Sequence, residues 1–346
     1  MQHPSSLSHP AIVCPLAGFG NLEDVGNGLT SLGALMELEI REQPALLAAN
    51  SESYHQQFES IFASQAPFDM VLLAARGSSD NAALYARYLI EIHIGIPVSL
   101  AAPSVITRYH SSIRFPGRTL AIGISQSGAA PDVAEFLAYM NEQGHMTLGI
   151  TNTADSRLTK TASSSVLLSV SKENSVAATK TYTATLCALY QMVRALGGTL
   201  GELPLPDQAW LEKCHDDALI ASGPVNRCNP VFALARGYGF CTALETALKL
   251  MECALVPCKA YSAADFEHGP KALAGHGSVA LSYFGAMPGL RDQGCEIIEV
   301  DAPDVPAPVA PIWDIIFGQW LALHVARSRG LNPDAALHLN KVTETL

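Results

Sequence analysis

The segment Thr119-Leu-Ala-Ile-Gly-Ile-Ser-Gln-Ser-Gly128 constrains this chain most, because an apolar run enters a hydroxyl-rich turn, ends in glycine and leads into a helix. Pro131 and Asp132 suit the first helical turn, and Val133, Phe136, Leu137 and Met140 recur at i, i+3, i+4 and i+7. Such a unit buries one helix face and aims the helix N-terminus at the turn, where backbone N–H groups and the helix dipole favour an anion. Ser125 and Ser127 add neutral donors. No lysine follows the glycine as in a Walker loop, and no G-x-G-x-x-G is present, so the turn fits a monophosphate on a small molecule better than a nucleotide. The bland alternative is an ordinary polar strand-to-helix turn.

Composition limits the remaining choices. With 346 residues, 49% hydrophobic and 15% charged, the chain can fill a core. A net charge of −11 argues against nucleic acid or an anionic membrane as partner, and no apolar run approaches a membrane span. Eight cysteines without a C-x-x-C spacing suit reduced thiols in a cytoplasmic protein, with neither disulfides nor a zinc site expected. Residues 1–35 lack Lys and Arg and are rich in Gly, Ser and Pro. They are expected to form a flexible extension, or to precede a true start at Met36.

From Met36 the pattern is regular. We read a helix over 36–64, strand Met70–Ala75, a helix to His93, strands Pro97–Ala101 and 119–124, and a helix over 131–143. Strands Met146–Thr151 and Ser165–Val170 and a helix over 175–196 complete the unit. Strands alternating with helices over short loops predict an α/β fold with a doubly wound parallel sheet in three αβα layers, its ligand at the strands' carboxyl ends. After a linker at Gly197–Pro206 the pattern restarts: Leu73-Ala-Ala-Arg-Gly77 is echoed 160 residues on by Ala233-Leu-Ala-Arg-Gly237, which suggests duplication. The expected divisions are 36–200, 207–330 and a tail, 331–346. Between strands Val279–Phe284 and Cys295–Val300 only ten residues remain, the lower limit for a parallel crossover. The second unit is therefore expected to be trimmed, without a hydroxyl turn of its own.

Within Ala243–Leu273, Leu244, Ala247, Leu248, Met251, Ala254 and Leu255 are expected to form a buried helical stripe, leaving Glu245, Lys249 and Glu252 on the opposite face. A solvated, salt-bridged face is the bland reading. The chemical one is a carboxylate base beside a cation, placed to shuttle a proton between adjacent sugar carbons. His268, in Glu267-His-Gly-Pro270, can titrate near neutrality.

Together Gly77-Ser-Ser79, Ser125-Gln-Ser-Gly128, Val176-Ala-Ala-Thr-Lys180, Ala243-Leu-Glu-Thr-Ala-Leu-Lys249 with Glu252, Glu267-His-Gly-Pro270 and Leu339-Asn-Lys-Val-Thr343 resemble the double sugar-isomerase (SIS) family. The resemblance covers about residues 36–346. It points to the isomerase half of glucosamine-6-phosphate synthase and to the stand-alone second-type glucosamine-6-phosphate deaminases. It implies that Gly77, Ser78, Ser79, Ser125, Gln126, Ser127 and Gly128 hold a sugar phosphate, with Val176, Ala178 and Asn340 also at the substrate. Glu252 would move the proton between C1 and C2 with Lys249 close by. His268 would assist ring opening from the neighbouring subunit of a homodimer with shared active sites, and Lys341 would close over the sugar. Two positions depart from the synthase: Ala130 stands for a threonine and Ala178 for a serine.

Nothing in the sequence resembles a glutaminase domain, so the expected reaction is glucosamine 6-phosphate plus water to fructose 6-phosphate and ammonia, without cofactor or metal. A plain phosphosugar aldose–ketose isomerase or a deglycase would use the same residues. From another class, a non-catalytic sugar-phosphate sensor would need only the binding groups.

Overall fold

Short β-branched and leucine-rich runs that alternate with amphipathic helices have one economical solution, a parallel sheet covered on both faces. A computed structural model, which describes residues 31–339 and Lys341, takes that form twice. The first half runs α1 (Ala34–Arg41), α2 (Gln43–Phe62), β1 (Met70–Ala74), α3 (Ser78–His93), β2 (Val98–Leu100) and α4 (Ser104–Thr107). It continues with β3 (Thr119–Ile124), α5 (Pro131–Glu142), β4 (Met146–Thr151), α6 (Arg157–Thr161), β5 (Ser164–Leu167) and α7 (Lys180–Ala195). Its strands are all parallel, in the order β2-β1-β3-β4-β5.

The second half runs α8 (Gln208–Arg227), β6 (Val231–Ala235), α9 (Phe240–Ala254), β7 (Cys258–Ser262), α10 (Ala263–Phe266), β8 (Val279–Ser282), α11 (Pro288–Asp292), β9 (Glu296–Glu299) and α12 (Ala310–Ser328). Its parallel order, β7-β6-β8-β9, repeats the first sheet without a fifth strand. The trimming is concrete: the crossover helix shrinks from 12 residues in α5 to 5 in α11. Each sheet has a core on both faces. Leu73, Ile122 and Ile150 face α2 and α7 while Leu72 and Ala121 face α5; in the second half Val231 and Leu281 pack toward Trp320 of α12, and Phe232 toward Phe266.

Several elements differ from the sequence reading. The helix expected over 36–64 is broken at Glu42 into α1 and α2, and α1 begins at Ala34, inside the expected extension. β5 stops at Leu167 because Ser169 adopts a left-handed backbone, φ 52°. The helix expected from 175 starts at Lys180. Ahead of it Glu173 accepts the backbone N–H groups of Thr179 and Thr181, and the Ser175 hydroxyl donates to Ala177 O, which holds 175–179 as a loop.

The stripe on α9 is also corrected. Met251 and Leu255 are 43% and 48% exposed, whereas Glu245 and Lys249 are wholly buried. The helix is wedged between its own sheet, α12 and α3, so its polar face is an internal one. Gly318 of α12 lets the helices meet, since a Cβ there would lie 2.2 Å from Thr246 Oγ1. Residues 1–30, Asn340 and Thr343 lie outside the described residues. Among the described residues no helix is long and apolar enough to cross a membrane.

Candidate active site

β1 and β3 are neighbours whose connections leave toward opposite sides of the sheet, and their carboxyl ends form the crevice where open α/β sheets take ligands. After β1 the chain turns at Gly77, φ 56°, and enters α3 with Ser78 and Ser79. After β3, Gly128 N–H bonds Ser125 O at 3.1 Å and closes the Ser125–Gly128 turn. Gly128 has φ 63°, and a Cβ there would sit 2.2 Å from Ser156 Oγ. It thus shapes the turn and is not itself among the residues that line the cavity.

The cavity, about 350 Å³, is lined by Gly77, Ser78, Ser79, Ser125, Gln126 and Ser127 on one side. Val176 and Ala178 from the loop before α7, Lys249 and Glu252 from α9, and Lys341 from the tail complete it. This volume lies in the range of small-molecule sites. Ala130 also lines it and presents a methyl group there.

The charged residues of α9 sit where the two halves meet. Lys249 Nζ bonds Glu252 Oε2, lies 3.4 Å from Glu245 Oε1 and donates to Ser78 Oγ at 3.3 Å. Glu245 in turn accepts Ser78 Oγ–H and Asn81 Nδ2–H, both at 2.7 Å. Burial pushes the Lys249 ammonium down, but Glu245 and Glu252 outweigh it and hold it well above the usual lysine range. Burial likewise pushes the Glu245 carboxyl up against the pull of Lys249 and its hydrogen bonds. Glu252 is the partly exposed member, facing the cavity, so of the two carboxylates it alone can meet a ligand.

His268 is not brought to this cavity: it is exposed, in the turn after α10, with its N–H on Asp265 O at 3.0 Å. Sequence reasoning also missed several groups. Asp132 is a buried carboxylate in the first turn of α5, where it would oppose an anion, and Arg76 Nη2 neutralises it at 2.6 Å while lining the cavity. The arginine of the repeated Ala-Arg-Gly phrase was the available signal. Thr181, Tyr182 and Thr185 line the cavity from α7 with no sequence mark beyond helical spacing. Glu173 binds Lys341 and Gln126 from beneath.

A parallel α/β crevice with a hydroxyl turn on one wall and a carboxylate–lysine pair on the other defines the class: a small-molecule site shared by two tandem sheets. Residues 69–195 match the family model described as SIS domain. The chain is 32% identical over 308 residues to a glutamine–fructose-6-phosphate aminotransferase (isomerizing) of Methanothermobacter thermautotrophicus, covering 79% of this chain and 51% of that protein. The chain thus spans about half the length of the curated relatives it matches. In fold it matches the C-terminal domain of a glucosamine-fructose-6-phosphate aminotransferase from Francisella tularensis, with TM-score 0.72 and 23% identity over 88% of this chain and 99% of that one. It also matches a glucosamine-6-phosphate deaminase from Thermotoga maritima, with TM-score 0.73 and 22% identity over 90% and 100%.

Proposed function

We propose that this chain is a phosphosugar enzyme that moves a proton between C1 and C2 of an open-chain hexose phosphate, with glucosamine 6-phosphate as the substrate that fits best. The observation that carries this reading is the Lys249–Glu252 pair facing the Ser125–Ser127 turn across one cavity.

The phosphate is held by the hydroxyls of Ser79, Ser125 and Ser127, with Arg76 offsetting Asp132. With the aldehyde at C1 and the amine on C2, the Glu252 carboxylate takes the C2 proton, and charge builds on the C1 oxygen. The Lys249 ammonium, kept charged by its two carboxylates, stabilises that oxygen. The C1 oxygen takes up a proton from solvent, return of the Glu252 proton to C1 gives the C2 iminium, and water adds to that iminium and releases ammonia and fructose 6-phosphate. The electrons move between the carbonyl and the iminium of the substrate, so acid–base groups and donors suffice. Ala130 and Ala178 favour a second reading, the same proton shift on another phosphosugar, because two hydroxyls of the synthase pocket are methyls here.

The enzyme is further proposed to be a homodimer with shared sites. Support comes from His268, which is exposed and outside its own chain's cavity, as a group serving a neighbouring site would be. The test is incubation with glucosamine 6-phosphate and, separately, with fructose 6-phosphate plus ammonia, measuring ammonia and ketose. Release of both from the amino sugar supports the reading. Tight binding without turnover would move the protein to the sensors.

A further inference from the structure

Glu173 is a buried charge that the proposed chemistry leaves out. Its side chain is wholly shielded, between β5 and α7, and its two oxygens serve different partners. Oε1 accepts Thr179 N–H at 2.8 Å, Thr181 N–H at 3.2 Å and the Thr179 hydroxyl at 3.3 Å, so it holds the start of α7. Oε2 accepts Lys341 Nζ–H at 2.8 Å, Gln126 Nε2–H at 3.3 Å and the Thr181 hydroxyl at 2.7 Å. Gln126, Lys341 and Thr181 all line the cavity. Burial pushes this carboxyl up, but the Lys341 charge and the hydrogen bonds outweigh it and keep Glu173 below the usual carboxylate range. A carboxylate this deep would be costly without a cation, and Lys341 is the cation that meets it.

We propose that Glu173 is a positioning residue: its Oε2 ties the tail ammonium of Lys341 and the Gln126 side chain to one buried point, fixing the tail against the hydroxyl turn. While so paired, the Lys341 nitrogen is a hydrogen-bond donor and is withheld from attack on an electrophile. The pairing stands apart from the sugar-phosphate reading; only its effect on turnover rests on that reading.

The test is trace acetylation of the full chain with an activated acetate ester, read by peptide mass spectrometry. Lys172 is exposed and serves as the internal reference. In the unmodified protein Lys341 should react about tenfold more slowly than Lys172, as a charge-assisted bond would impose. Glu173→Gln keeps a carbonyl for the Thr179 and Thr181 amides and turns its amide toward the cavity. It should therefore retain the melting temperature, raise the Lys341 rate about tenfold and leave Lys172 unchanged, while kcat falls more than KM rises. Equal rates at the two lysines of the unmodified protein, or an unchanged Lys341 rate in a folded Glu173→Gln, would overturn the assignment. Should Glu173→Gln fail to fold, the comparison within the unmodified protein decides. If labelling follows expectation but no sugar phosphate is turned over, the Glu173 role stands and the sugar-phosphate reading fails.

Discussion

Glu245 on α9 accepts the Ser78 hydroxyl at the start of α3 at 2.7 Å, so one buried carboxylate joins the helix that carries Lys249 and Glu252 to the loop that opens the hydroxyl wall. Removing it should cost more than one hydrogen bond. Glu245→Leu strands Ser78 and Asn81 and takes one counter-charge from a fully buried Lys249, a loss of about 3–5 kcal/mol. Glu245→Gln should cost much less. Denaturant midpoints of the two variants check this; equal midpoints would place the energy elsewhere.

The hydroxyl turn should bind and not stabilise. Ser125→Ala with Ser127→Ala should weaken inorganic phosphate and sugar phosphate together, by about 1.5–3 kcal/mol for each hydroxyl lost. The melting curve should not move. Isothermal titration reads both ligands, and unchanged affinity would put the anion at another site.

Stability should fall on mild acidification through His324. It lies buried against Trp320 and His215, Nε2 has no partner, and burial, with His215 and Arg327 adding, pushes it down to about 4. The unfolded chain takes up this proton near 6.5, so the contribution is intact above that pH and is lost as pH falls toward 4. Fully expressed, it is on the order of 3 kcal/mol. Replacing His324 by Phe should flatten this limb in pH-dependent denaturation; an unchanged slope would assign the acid limb to other groups.

Shared sites predict complementation. His268→Ala and Glu252→Gln proteins, each nearly inactive, should regain about a quarter of normal activity when co-refolded, because half of the dimers are hybrid and each hybrid holds one intact site of two. Doubly tagged hybrids no more active than the parents would keep His268 within its own chain.

The strand-to-helix units were legible because apolar runs and helical periodicity are local, and the repeated Ala-Arg-Gly phrase pointed to the second sheet. What was hidden depends on contacts across the chain. The α9 sequence reads as a buried apolar stripe opposite a solvated charged face, whereas Met251 and Leu255 of that stripe are exposed and Glu245 and Lys249 are buried against Ser78 and Asn81. The loop 175–179 carries a helical pattern, and Glu173, tied to residues six and eight positions on, together with the Ser175 hydroxyl on Ala177 O, shows why it does not coil. The Arg76–Asp132 pair and the Glu173–Lys341 pair each join residues far apart in the chain, and nothing in the sequence says which partner either residue meets.

The most direct measurement is solvent deuterium incorporation, by NMR, at C2 of glucosamine 6-phosphate and at C1 of fructose 6-phosphate, with the unmodified protein and Glu252→Gln side by side. The account predicts incorporation by the former and a rate about 10²–10⁴-fold lower in Glu252→Gln with binding retained. Near-normal incorporation in that variant would contradict the role of Glu252, and none in the unmodified protein, with both sugar phosphates bound, would contradict the enzyme itself.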